Sequence, residues 1–133
     1  MNAGGFGHFY KYAPIHIEYA IDRYSMETKR QLDVLDKQLK DKTYVIGDEL
    51  TIADIAIYTW VKCITDMYYA GEFLSFHEYP NVIRWTETLG NRPGFQRGMK
   101  VNSFGENSLW ERHSAADFEK ENAHLEPGTT PAS

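Results

Sequence analysis

Thr51-Ile52-Ala53-Asp54 sets a hydroxyl and a carboxylate three positions apart at the head of an apolar run, and this spacing constrains the fold more than any other feature. In a capping box the threonine oxygen accepts the amide of the third helical residue. The carboxylate at that residue accepts the amide of the cap in return. Two of the amides that every helix start leaves unpaired are thereby satisfied. Leu50 and Ile55 flank the box where a hydrophobic staple would sit. The helix that follows carries Ile52, Ala53, Ile55, Ala56, Ile57, Tyr58, Trp60 and Val61, and is apolar nearly all round. Such a helix is expected to be enclosed by others, as the centre of a bundle. Thr51 and Asp54 are therefore read as structural capping residues, because helix capping alone accounts for their spacing.

The rest of the chain supplies helices to surround it. Ile17, Ile21, Tyr24, Thr28, Leu32, Leu35 and Leu39 recur at steps of three and four, predicting a long amphipathic helix from about residue 15 to 39. Pro80 suits a helix's first turn, with Val82, Ile83, Trp85 and Leu89 as its buried positions and Gly90 as its stop. A short amphipathic piece with Phe95, Met99 and Val101 follows Pro93. No strand alternation and no internal repeat is visible, so the expected fold class is all-α, a helical bundle. Three stretches are expected. Residues 1–14 form a Gly-rich and aromatic leading loop, residues 15–102 the helical domain, and residues 103–133 a polar tail whose last part is disordered. Phe104, Leu109, Trp110 and Phe118 are the tail's candidate anchors.

Composition narrows the function classes. A chain of 133 residues with 42% hydrophobic and 14% aromatic residues has material for one core. Its net charge of -5, with no Lys/Arg block, argues against nucleic acid or an anionic membrane as partner. No apolar run reaches spanning length, no secretory pattern or N-x-Ser/Thr sequon occurs, and a cytoplasmic location is expected. Cys63 is the single cysteine, without a CxxC partner, and reads as an inert core thiol. His8, His16, His77, His113 and His124 lack metal-ligand spacing, so no metal is expected. Glu111, His113 and Asp117 cluster, which a solvated tail explains equally well. Phe9, Tyr10 and Tyr12 suit packing or a pocket wall alike. Arg23, with Glu27 one turn on, reads by itself as a solvated helical arginine, and Trp60 reads first as core.

Several of these segments share a resemblance. G-D-E-L-T-I-A-D-I-A, Gly47 to Ala56, resembles the buried N-capping box of glutathione transferase C-terminal domains. G-G-F-G-H-F-Y-K-Y-A-P (Gly4 to Pro14), the run from Tyr19 to Asp36, and W-E-R-H-S-A-A-D-F-E (Trp110 to Glu119) resemble the family's nu-class subgroup, which includes glutathione-dependent disulfide-bond reductases. The resemblance spans roughly Gly4 to Glu119. It implies a two-domain protein, homodimeric, with glutathione as substrate and no metal cofactor. A thioredoxin-like βαβ domain comes first and carries the thiol-activating groups. Nothing here reads as βαβ, so that domain and the first half of the family's opening helix are expected to lie outside this chain, and no residue here is expected to be catalytic. By the same resemblance Arg23 matches an arginine that reaches the glutathione site, where a guanidinium can grip a carboxylate through two bonds. Phe9, Tyr10 and Tyr12 match the segment flanking the electrophile pocket, Trp60 lies near its floor, and Trp110 to His113 close over the cleft. The implied role is the second-substrate side of a glutathione-dependent transferase or disulfide-reductase site, inactive as an isolated chain. The alternative is a non-catalytic helical module for dimerisation or regulation.

Overall fold

The computed structural model describes residues 3–101. The expectations placed on the tail, including Trp110 to His113 and its aromatic anchors, lie outside the described residues. All elements among the described residues are helical. They are α1 (Ala3–Gly7), α2 (Glu18–Leu39), α3 (Ile52–Lys62), α4 (Pro80–Gly90) and α5 (Pro93–Gly98). Residues 3–90 belong to one compact unit, and α5 belongs to a second that begins at Asn91.

The leading segment differs from the expected loop. Ala3–Gly7 is α-helical and His8–Tyr12 continues it as a wider π-turn. Its glycines hid the helix, because glycine gives neither helical propensity nor an apolar face. What they permit is close approach. A Cβ on Gly5 would lie 2.4 Å from the Tyr24 ring, and one on Gly7 would lie 2.2 Å from that of Tyr68. The backbone of α1 thus seats directly on two aromatic rings. Ala3 and Phe6 are buried with Ile64, Tyr68, Ala70 and Leu74 in one apolar cluster.

The long helix keeps the expected register. α2 buries Ile21, Ser25, Thr28, Leu32, Leu35 and Leu39. Its two buried hydroxyls are satisfied within the helix, Ser25 donating to the Ile21 carbonyl (2.6 Å) and Thr28 to that of Tyr24 (2.8 Å). α2 and α4 pack together and cap each other. Asp36 of α2 accepts the amides of Asn81 (2.8 Å) and Val82 (3.1 Å) at the start of α4, together with the Asn81 side-chain amide (2.8 Å). In return Arg84 of α4 donates to the carbonyls of Leu39 (2.7 Å) and Lys42 (2.9 Å), where α2 ends. Each helix thus satisfies backbone groups that the other's terminus leaves open, which locks their relative position.

The capping box forms at Thr51 and Asp54 as the start of α3. Asp54 is fully buried and does more than cap its own helix. One oxygen accepts the Thr51 amide and hydroxyl, both at 3.0 Å. The other accepts the Val45 amide and the Trp85 indole N–H, both at 2.9 Å. A loop, a helix start and the core tryptophan of α4 therefore converge on one carboxylate.

α3 departs from the enclosed helix that its sequence suggests. Asp54, Tyr58 and Val61 are buried on one side. On the other, Ile52 is 84% exposed, Ile55 49% and Trp60 40%. Apart from the Trp60 ring, which reaches α1, this second side is largely open to solvent.

Candidate functional site

The end of α3 and the segment after α1 form an aromatic corner. The chain past Lys62 continues as a π-turn, Cys63–Met67. Ala70 N–H then reaches back to the Ile64 carbonyl (3.0 Å), closing the end. At that closure Tyr69 adopts a left-handed backbone, φ 56°, where glycine is the usual occupant. Around it the rings interlock. Phe6 stacks on Tyr10 at 4.9 Å between centroids, and Tyr10 lies 4.8 Å from Phe73. Tyr12 meets Tyr68 edge-on at 6.0 Å. These are the separations that aromatic pairs favour.

The residues singled out from the sequence divide between packing and exposure. Phe9 stacks on Tyr24 of α2 (5.3 Å, 23° between planes) and is half-buried. Tyr10 is half-buried in the Phe6–Phe73 stack. Tyr12 is 56% exposed. Arg23 is exposed beside Tyr24, so the Phe9–Tyr24 stack holds the leading segment against the turn that carries the guanidinium. Trp60 lies over α1, with its ring 3.5 Å from where a Gly4 Cβ would stand. Among the described residues, no hydrogen bond, ion pair or ring contact joins any two of Arg23, Phe9, Tyr10, Tyr12 and Trp60.

A separate open groove of about 300 Å³ runs along α2 between Val34, Leu35, Val45 and Ile57, with Arg30 and Gln38 among its lining. None of the residues expected at the site lines it. Arg30 is engaged there with Glu27 (2.6 Å), which holds the Glu27 carboxyl down at about 2 with help from Gln31. The groove is apolar, with its cation already paired, and offers no reactive group.

Cys63 is half-buried, its thiol directed at the Met67 sulfur (3.5 Å). Burial pushes the thiol pKa up, and the Asp66 charge adds to the rise. It is held as the neutral thiol, the unreactive form. Among the described residues, no three His, Cys, Asp or Glu side chains are grouped to hold a metal ion. No helix among them is long and apolar enough to cross a membrane.

Sequence reading missed Lys11 and Tyr69, which meet at this corner, the Lys11 ammonium standing 4.5 Å from the Tyr69 ring centre. A left-handed tyrosine leaves no trace in a single sequence, and a lone lysine among aromatics has no motif.

The described residues form an all-helical domain whose third helix is capped against a core tryptophan. The chain belongs to the glutathione S-transferase C-terminal domain family, whose model residues 14–93 match. Among its relatives, the disulfide-bond oxidoreductase YghU of Escherichia coli K12 is 52% identical over 121 residues, which is 87% of this chain and 42% of YghU. A glutathione transferase from Burkholderia graminis, solved with two glutathione molecules bound per subunit, superposes with a TM-score of 0.74 at 35% identity, over 78% of this chain and 44% of that one. A YghU from Streptococcus pneumoniae, solved with glutathione, matches with a TM-score of 0.69 at 46% identity, over 74% and 39% of the two chains. The chain therefore spans about two-fifths of the length of the relatives it matches.

Proposed function

We propose that this domain forms the second-substrate side of a glutathione-dependent site, of the nu-class type, that carries out transfer or disulfide reduction. The observation that carries the reading is the placement of Arg23. Its guanidinium is solvent-exposed and makes no hydrogen bond or ion pair among the described residues, while Tyr24 beside it is clamped by Phe9. Among the described residues the Arg23 donors are free, its charge acting only at a distance on Glu27, and such a guanidinium suits a carboxylate of glutathione. Tyr12, exposed beyond the packed Phe9 and Tyr10, faces the second substrate, and Trp60 braces α1 behind them. The thiol-activating groups belong to a thioredoxin-like half, so this chain by itself has no turnover. The intact protein works as a cytoplasmic homodimer without a metal. Calorimetric titration with reduced glutathione tests the reading, because binding by this chain requires that it hold part of the site.

The second reading, a non-catalytic dimerisation or regulatory module, is favoured by the bare faces of two helices. Tyr19, Met26 and Val34 are exposed along α2, as are Ile52 and Ile55 on α3. Surfaces of this kind are covered when a second domain or second copy docks. A glutathione-blind chain that dimerises in sedimentation would support this reading over the first.

A further inference from the structure

The Lys11 ammonium has an unusual setting. It donates to the Met67 carbonyl at the end of the α3 π-turn, and it lies 4.5 Å from the centre of the Tyr69 ring and 5.9 Å from that of Tyr12. The carboxylate on the same turn as Met67, Asp66, is already taken by Lys62 (2.6 Å) and by the Thr65 hydroxyl (2.7 Å). Among the described residues no carboxylate pairs with Lys11, although acidic residues outnumber basic ones in this chain 19 to 14. An ammonium has three donors. One carbonyl uses one of them, and the rings attract the charge without using a donor. Among the described residues the other two donors meet no acceptor, and Lys11 is exposed.

Tyr69 is the second unusual feature of this corner. Its left-handed backbone is one that glycine adopts without strain, and the residue is nonetheless 74% exposed. Burial therefore does not explain a tyrosine here. What the ring does is stand over the Lys11 charge and, with Tyr12, wall the space in front of it.

We infer that Lys11, framed by Tyr12 and Tyr69, is a specificity-determining residue that selects second substrates bearing a carboxylate. The inference rests on the proposed second-substrate role of this face and adds the class of substrate: small anionic disulfides or electrophiles, with the carboxylate on Lys11 and the adjoining apolar part against the two rings. Lys11 touches no reacting atom in this account and acts only in recognition.

The test is an amide-resolved NMR titration of the full chain with glutathione disulfide and, separately, with its neutral form, in which all carboxylates are esterified and both amines acetylated. Wild type, Lys11→Met and Lys11→Arg are compared. Lys11→Met keeps the apolar stem, and Lys11→Arg keeps the charge and the stacking. An exposed charge pair supports only a modest effect, so Lys11→Met is expected to weaken the disulfide by about threefold to fivefold. Its affinity for the neutral ester stays as in wild type, and Lys11→Arg retains both. Wild-type shifts are expected at residues 11, 12 and 69. Shifts elsewhere without these three, or equal binding of the disulfide by wild type and Lys11→Met, overturn the role of Lys11 and leave the proposed function standing. No shift anywhere overturns both.

Discussion

The indole N–H of Trp85 donates to Asp54 Oδ1 at 2.9 Å, joining the capping box of α3 to the core of α4. Both side chains are fully buried. The same carboxylate holds Val45 and Thr51, so its loss would leave the indole, a loop amide and a helix start unpaired at once. Asp54→Ala is expected to cost about 3 kcal/mol or more in urea unfolding, against under about 1 kcal/mol for a surface aspartate such as Asp41.

The same carboxylate sets an acid limit. Burial works to raise its pKa, but the bonds from Val45, Trp85 and Thr51 outweigh it and hold the folded value below the ordinary 3.8. A depressed folded value means that the stabilisation is complete above the unfolded pKa and is lost as pH falls through the folded one. The urea midpoint is therefore expected to drop on acidification below about pH 4, with Asp54→Asn showing a flatter slope there. Glu27, held at about 2 by Arg30 and Gln31, titrates in the same direction. Its ion pair is solvent-screened, and Glu27→Gln is expected to leave the slope nearly unchanged.

How much of this was legible beforehand depends on what kind of cause acts. The α2 register was readable because Ile21, Leu32, Leu35 and Leu39 repeat with the helix period, and Thr28 fits because its hydroxyl bonds back to Tyr24. The capping box was readable because its chemistry is local. Trp85 on Asp54 was not, since a bond across 31 positions leaves no spacing rule. The enclosure of α3 does not follow from its composition: apolarity all round shows that a helix can be covered, while Ile52 and Ile55 remain exposed here. At the candidate site, the sequence pointed to Arg23 and the aromatic segment. It could not separate Phe9 and Tyr10, which pack, from Tyr12, which faces out.

The glycines of α1 give a paired test. Gly7→Ala places a methyl group 2.2 Å from the Tyr68 ring, and the ring must move out of the cluster that it shares with Phe6 and Ile64. A loss of about 1–3 kcal/mol is expected. Gly4→Ala meets the Trp60 ring at 3.5 Å, an ordinary contact, and is expected to be neutral or stabilising by up to about 1 kcal/mol through helix propensity. Thermal melts of the two variants side by side check this, and equal losses would contradict the seating of α1 on Tyr68.

Asp36 caps a helix other than its own. Asp36→Ala should free the amides of Asn81 and Val82 and cost about 1–2 kcal/mol. Hydrogen exchange at those two amides is expected to rise by more than at the start of α3, where Asp54 still caps. Uniform exchange along both helices would show that the cap is not local.

The most direct measurement is calorimetric titration of this chain with reduced glutathione, repeated on Arg23→Ala. Wild type is expected to bind in the millimolar range or better, and the variant to lose most of that affinity, because in the proposed site the exposed guanidinium is the group assigned to a glutathione carboxylate. Equal binding by both would remove Arg23 from the site. Binding by neither would contradict the central claim and leave the helical domain as a scaffold.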